Sequence, residues 1–237
     1  FHPLYVSWSL AWQARNIIAA TRRIAQVVET GEYDIVHVHT PIASFVARFA
    51  LRNVKTPPGL IYTAHGFHFH VGGNAITNAV FLWAEATAAG WTDLIVTMNR
   101  EDFRAAQKFG RIRKDRVRYI PGIGVDCDQY QPLDEPERST IRREQGIGPG
   151  QFAIAVVGEF TPNKRQELAV EALLCAGPAV VGIFIGEGAR RSTVEAYARA
   201  KNAPVRFLGH RRDAGRLIAA CDALLHVSRR EGLPRVV

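Results

Sequence analysis

The chain has 237 residues, with 30 Lys and Arg against 22 Asp and Glu, a formal net charge of +8, and 47% apolar and 22% charged residues. Ample apolar content with near-average glycine and proline excludes a disordered tail, a collagen-like repeat and a disulfide-stapled miniprotein. At roughly 150 residues per domain, the length suits two compact domains, each with its own core.

In chain order, Leu10, Ala14, Ile17, Ile24 and Val28 recur at helical spacing and predict a helix over 10–30, ended by Gly31. Strands at 35–39, 60–65, 93–98 and 117–122 then alternate with helices after Pro41, across 75–89 and from Arg100 to Phe109. Residues 123–150, punctuated by Gly124, Pro132, Pro136, Gly146 and Gly148 and holding at most one short helix, predict a linker between a first domain, 1–122, and a second, 151–237. The second alternation places strands at 152–160, 180–186, 205–209 and 223–227, with helices at 166–176, 189–201 and 213–221. Runs such as AIAVV and VGIFI suit parallel strands covered on both faces. The fold class expected is α/β, with two open parallel sheets.

The three cysteines, Cys127, Cys175 and Cys221, form no Cys-x-x-Cys pair, which fits a reducing compartment. No run reaches the roughly 18 apolar residues of a membrane span, and residues 1–10 lack the basic segment of a signal peptide. The chain opens with Phe1 rather than Met, which suggests a piece of something longer. The basic cluster at Arg111, Arg113, Lys114, Arg116 and Arg118 reads more readily as a solvated turn than as a nucleic-acid site, since no nucleic-acid motif accompanies it.

Ligands of open parallel sheets bind beyond the carboxyl ends of the strands, so chemistry is sought in those loops. Gly158 closes one strand, and Lys164 and Arg165 follow at a helix amino terminus, where cations and free N–H groups suit a phosphate. The spacing is not that of a Walker A loop. The next strand ends in Gly186-Glu187-Gly188, and the third in GHRRD, with Gly209 at a turn, Arg211 near the same edge and Asp213 as helix cap. The fourth ends in HVSRREGLPRVV, where Glu231 can accept from hydroxyls and the backbone after it can donate to phosphate.

These segments, VVGEFTPNKRQE, FIGEG, FLGHRRD, ACDALLHVS and REGLPRVV, in that order, resemble the donor domain of family 4 retaining glycosyltransferases. YDIVHVHTPIASFVARFA, LIYTAHGFHFH, DLIVTMNREDF and VRYIPGIGVD resemble the first domain of the branch that builds capsular and exopolysaccharides. The resemblance implies the GT-B fold, two Rossmann-like domains whose parallel sheets face across a cleft, the first incomplete and the chain truncated at both ends. It implies transfer of a hexose-type sugar, with retention, from a nucleotide-sugar donor, a UDP-sugar favoured over a GDP-sugar, to a lipid-linked or surface-polysaccharide acceptor. Lys164 matches the lysine on the donor diphosphate, Glu231 the first glutamate of E-x7-E, Gly232 and Leu233 the backbone beside it, and His65 the histidine near the reacting centre. With Glu231 and His65 go Gly158, Arg165, Gly186, Glu187, Gly188 and Arg211 as the expected donor site.

The sequence departs from the family at Glu159, where many relatives carry arginine, and the second glutamate of E-x7-E would fall two positions past Val237. No cofactor and no metal is expected. His37 and His39 with His65, His68 and His70 could converge on zinc, but no cysteine or carboxylate completes the set. No carboxylate pair at glycosidase separation is identifiable, so no covalent glycosyl-enzyme is expected. The reading implies a cytoplasmic protein working at or near the inner membrane face, with Trp8, Trp12, Arg15, Arg22 and Arg23 as candidate peripheral contacts and no nucleic-acid partner. The rival readings are a sugar-nucleotide 2-epimerase and a non-catalytic nucleotide-sugar-binding domain.

Overall fold

The structure is a computed structural model that describes residues 14–122, 124–231, 234 and 236. The chain divides into two compact units, Phe1–Ile123 and Gly124–Val237.

The first unit begins with α1 (Ala14–Thr30), followed by β1 (Ile35–His39), α2 (Pro41–Leu51), β2 (Gly59–Ala64), α3 (Ala75–Ala88), β3 (Leu94–Thr97), α4 (Arg100–Ala106) and β4 (Val117–Tyr119). Its four strands are parallel and stand in chain order, β1-β2-β3-β4. Right-handed crossovers in such a sheet put the connecting helices on one face. That face holds the core: Tyr62, Ala64, Ile95 and Val117 pack with Phe67, Ala106 and Phe109, and Val36 and Val38 pack toward Ile24, Val28 and Leu51. The opposite face of β1 carries Ile35, His37 and His39, all exposed. Local signals set the helix starts. Asn74 caps α3 by accepting from the Ile76 and Thr77 N–H groups, and Asn99 caps α4 by accepting from the Asp102 N–H.

The second unit comprises α5 (Glu135–Glu144), β5 (Phe152–Val157), α6 (Gln166–Ala176), β6 (Val180–Ile185), α7 (Arg191–Ala200), β7 (Val205–Phe207), α8 (Ala214–Ala220) and β8 (Ala223–Leu224). Its order, β7-β6-β5-β8, reverses direction at β5, the doubly wound pattern. Val181, Ile183 and Ile185 pack on one face with Ile141, Leu217 and Ala220, while Phe184 packs on the other with Val170, Leu173 and Val194.

Two expectations change in detail. The segment expected as a linker supplies α5, whose Arg138 and Arg142 bond Asp222 at 2.5 and 3.0 Å while Ile141 enters the core. The last strand pairs over two residues only, Ile154 with Ala223 and Ala155 with Leu224, because the chain turns into the loop that carries Glu231. Trp8, Trp12 and the side chain of Arg15 lie outside the described residues.

Candidate functional site

In the second unit the loops after β5, β6 and β7 are joined backbone to backbone. Gly158 N–H donates to Ile185 O at 3.0 Å, Gly186 N–H to Gly209 O at 2.8 Å, and Phe160 N–H to Glu187 O at 2.8 Å. A Cβ on Gly186 would stand 2.1 Å from Gly158 O, and one on Gly188 2.6 Å from the Phe160 N and O atoms. Both glycines have φ near +150°, a conformation side chains rarely adopt. What these two glycines admit here is neighbouring backbone.

Lys164 lies over Gly158, with its stem 3.5 Å from where a Cβ would sit. Its Nζ bonds Glu231 Oε1 at 2.6 Å, and each side chain is 24% exposed. Partial burial pushes the Glu231 carboxyl up. The hydrogen bond from Lys164 and its positive charge help to outweigh it, so the group ends below the usual carboxylate range. His226 Nε2 lies 3.2 Å from the same carboxylate oxygen. Asn163 locks the two loops together, donating from Nδ2 to Arg230 O at 2.9 Å and accepting at its carbonyl from Arg229 N–H at 2.7 Å. A cation and an acceptor are thus presented side by side at the carboxyl edge of the sheet, partly open to solvent.

Other expected members are placed differently. Arg165 takes the left-handed conformation, φ 49°, and donates to Val227 O at 2.9 Å and Ser228 O at 3.5 Å, so its guanidinium holds the Glu231 loop. Arg211 forms a fork with Asp213, at 2.8 and 2.7 Å, beside Glu137, Glu144 and Arg216. Asp213 stands at the cap position of α8 but gives its carboxylate to Arg211 instead of the helix N–H groups. Glu187 is bonded by Arg191. Gly232 and Leu233 lie outside the described residues. Glu159 is exposed, while its carbonyl accepts from the buried Gln166 side chain at 2.9 Å.

In the first unit, His65 follows β2 and its Nε2 is 3.0 Å from His39 Nδ1, one ring donating to the other. His37 bonds the Thr63 hydroxyl at 2.8 Å and its ring centroid lies 4.2 Å from that of His39. Burial, then the field of His65, lowers the His37 pKa. Burial and the fields of His37 and His65 do the same at His39. Among the described residues no group of three or more His, Cys, Asp or Glu side chains is arranged to hold a metal ion. The His65 loop is gripped from α4 and α3: Asp102 accepts from Phe67 N–H at 3.0 Å, Glu101 from Val71 N–H at 2.9 Å, and Asn78 exchanges two hydrogen bonds with the His70 backbone. Sequence reading passed over Asp102, Asn78, Asn163 and His226. The Asn99-x-x-Asp102 turn was a visible cap signal for the first, whereas the others act through contacts many residues away.

Comparison with known proteins decides the family. The description Glycosyltransferase Family 4 matches residues 2–129, and Glycosyl transferases group 1 matches residues 137–237. This chain belongs to glycosyltransferase family 4. The family 4 chain is 33% identical to EpsD of Bacillus subtilis (strain 168) over 222 residues, covering 91% of this chain and 58% of that protein. It is 25% identical over 220 residues to an Escherichia coli protein named UDP-Gal:alpha-D-GlcNAc-diphosphoundecaprenol alpha-1,3-galactosyltransferase, covering 90% of this chain and 56% of that one. The chain therefore spans a little over half the length of these curated relatives. Among solved structures, Anabaena Alr3699/HepE in complex with UDP and glucose superposes with a TM-score of 0.76 at 23% identity, covering 97% of this chain and 60% of that one. The fold of the family 4 chain is GT-B, with a Rossmann-like sheet in each unit.

Proposed function

We propose that this family 4 chain belongs to a glycosyltransferase that transfers a hexose from a nucleotide sugar, with retention, to a lipid-linked or polysaccharide acceptor. The observation that carries the reading is the Lys164–Glu231 pair at the carboxyl edge of the second sheet. A nucleotide sugar brings a diphosphate next to hydroxyls. In this reading Lys164 leaves Glu231 for the phosphate oxygens, and Glu231 accepts from donor hydroxyls. A positioned cation stabilises the departing diphosphate by electrostatic preorganisation, which removes the need for a strong general acid. The acceptor oxygen bonds to the anomeric carbon on the face the diphosphate leaves, and its proton passes to the departing phosphate oxygen. His65 is the residue of the first unit assigned to the reacting centre, held in place by the Asp102 grip on its loop. Arg165 and Arg211 hold protein partners here, as Lys164 holds Glu231, and in this reading they share the diphosphate with Lys164 on exchanging those partners for phosphate oxygens.

UDP is the favoured nucleotide. The HepE complexes with UDP and UDP-glucose and the UDP-Gal name of the E. coli relative support it. The E. coli name and the extracellular-polysaccharide resemblance support the acceptor class. Calorimetric titration with UDP, GDP and their glucose and galactose derivatives tests the reading. UDP compounds are expected to bind, and Lys164→Ala to weaken them at least about tenfold, the loss of a charge-assisted contact. Unchanged affinity in folded Lys164→Ala and Glu231→Ala chains would sink the donor site.

A further inference from the structure

The Lys164–Glu231 pair has a third member to which the donor reading gives no task. His226 stands two residues past β8, and its Nε2 lies 3.2 Å from Glu231 Oε1, the oxygen that Lys164 Nζ holds at 2.6 Å. The distance suits a hydrogen bond but the alignment does not, and Nε2 is closed to solvent with no hydrogen-bond partner among the described residues. A polar atom enclosed in that way is costly, and one that stops just short of a carboxylate has its partner at hand once the site rearranges. The ring is 18% exposed and the carboxylate 24%, so water only partly screens a charge left alone there.

We propose that His226 takes the place of Lys164 on Glu231 when a donor diphosphate draws the lysine away, and that the ring takes up a proton from solvent as it does so. The exchange rests on the donor reading above, since it begins only when Lys164 leaves for phosphate. With Lys164 in place, a charged imidazole would set two cations on one carboxylate oxygen, so one or the other holds it. Once the ammonium has moved, Glu231 is left partly buried without its counter-charge. An imidazolium restores the pair, and its charge-assisted N–H bond to Oε1 leaves Oε2 to accept from donor hydroxyls. Imidazole is the side chain whose charge changes near neutral pH, so the exchange can run there. The charged groups nearest the ring are Glu231 on its own loop, Lys164 after β5 and Arg165 at the start of α6. Arg165 is turned to the carbonyls of Val227 and Ser228, and its charge does not titrate. His226 is thus a positioning residue that acts through Glu231. Because a proton enters with the donor, affinity rises as pH falls.

The test is calorimetric titration of the full chain with UDP-glucose and UDP-galactose, whose diphosphate diesters hold no proton near neutral pH. Run in HEPES and in imidazole, which absorb different heats on giving up a proton, it counts the protons taken up. Net uptake of roughly half a proton or more per site is expected at about pH 7. His226→Gln keeps a hydrogen-bond donor for Glu231 but cannot gain the proton. Uptake should vanish, and affinity should fall about tenfold at about pH 6 while staying within about twofold of the wild type at about pH 8. NMR titration without nucleotide checks the contact itself: Lys164→Met should move the His226 midpoint up, and Lys164→Met/Glu231→Gln should move it back. Circular dichroism establishes that each variant is folded. Binding without uptake, or equal uptake by folded His226→Gln, overturns the proposal and leaves the donor reading standing. So does a His226 midpoint that Lys164→Met leaves unmoved. Binding of neither nucleotide sugar by the folded wild type sinks the donor reading, and the proposal with it.

Discussion

In the second unit β6 reads Val-Val-Gly-Ile-Phe-Ile and is buried on both faces, whereas β1 of the first reads Ile-Val-His-Val-His and is half-buried on one and exposed on the other. Both belong to parallel sheets, so parallel pairing alone does not dictate a continuous apolar run. The number of covered faces does. Where α5 and α8 pack behind the second sheet, alternate residues become aliphatic. On β1 the alternate positions carry imidazoles instead, His37 bonding the Thr63 hydroxyl and His39 the His65 ring.

The largest test of that contrast is a matched pair of truncations. Phe184→Ala should cost about 3–5 kcal/mol in urea unfolding of the second unit, while Ile35→Ala on the open face should stay within about 0.5 kcal/mol. Equal losses would mean that the face of β1 is not open in solution.

The cores also differ in chemistry. The first holds a fully buried pair, Arg48 to Glu85 at 2.7 Å, with Tyr62 donating to Glu85 at 3.1 Å, and Arg48 Nη1 has no partner among the described residues. Arg48→Ala strands the carboxylate and should cost about 3–5 kcal/mol, most of it recovered in Arg48→Met/Glu85→Leu. Denaturant midpoints of the single and double variants check this.

Acid should act on the two units with opposite sign. Burial raises the Glu85 pKa against the pull of Arg48, so the stability this group adds is present below the usual glutamate value, about 4.3, and is lost as pH rises through the raised one. At Asp222, burial raises, but the Ala153 N–H and the Arg142 and Arg138 side chains lower by more. Its contribution is present above the usual aspartate value, about 3.9, and is lost as pH falls through the depressed one. Thermal melts across the acid range should show Asp222→Asn flattening the loss in the second unit and Glu85→Gln flattening the opposite slope in the first.

The smallest effect belongs to the histidines. With their pKa values lowered, His37 and His39 withdraw a little stability as pH falls below about 6.5. NMR titration should give both midpoints below that value, and His65→Ala should move the His37 midpoint back up.

The order and type of the elements were legible because apolar runs, caps and glycines are local signals. The loops at the carboxyl ends of the second unit's strands were legible too, since Gly158, Gly186 and Gly209 stand where strands end. What the sequence hid depends on partners far along the chain. Arg48 and Glu85 are 37 residues apart, and nothing local to Arg165 or Arg211 tells whether its guanidinium meets a phosphate, a carbonyl or Asp213. The attachment of α5 was hidden for the same reason, because Arg138 and Arg142 find Asp222 some eighty positions on.

The stacking of Gly158, Gly186 and Gly188 against neighbouring backbone also limits how this site can change over evolutionary time. Any side chain at Gly186 or Gly188 must displace main chain, so mutation cannot reshape the floor of the proposed donor site in single steps. Diversification is left to residues that project to solvent, such as Glu159. A library aimed at altering sugar preference would spare the glycines and randomise exposed neighbours such as Glu159.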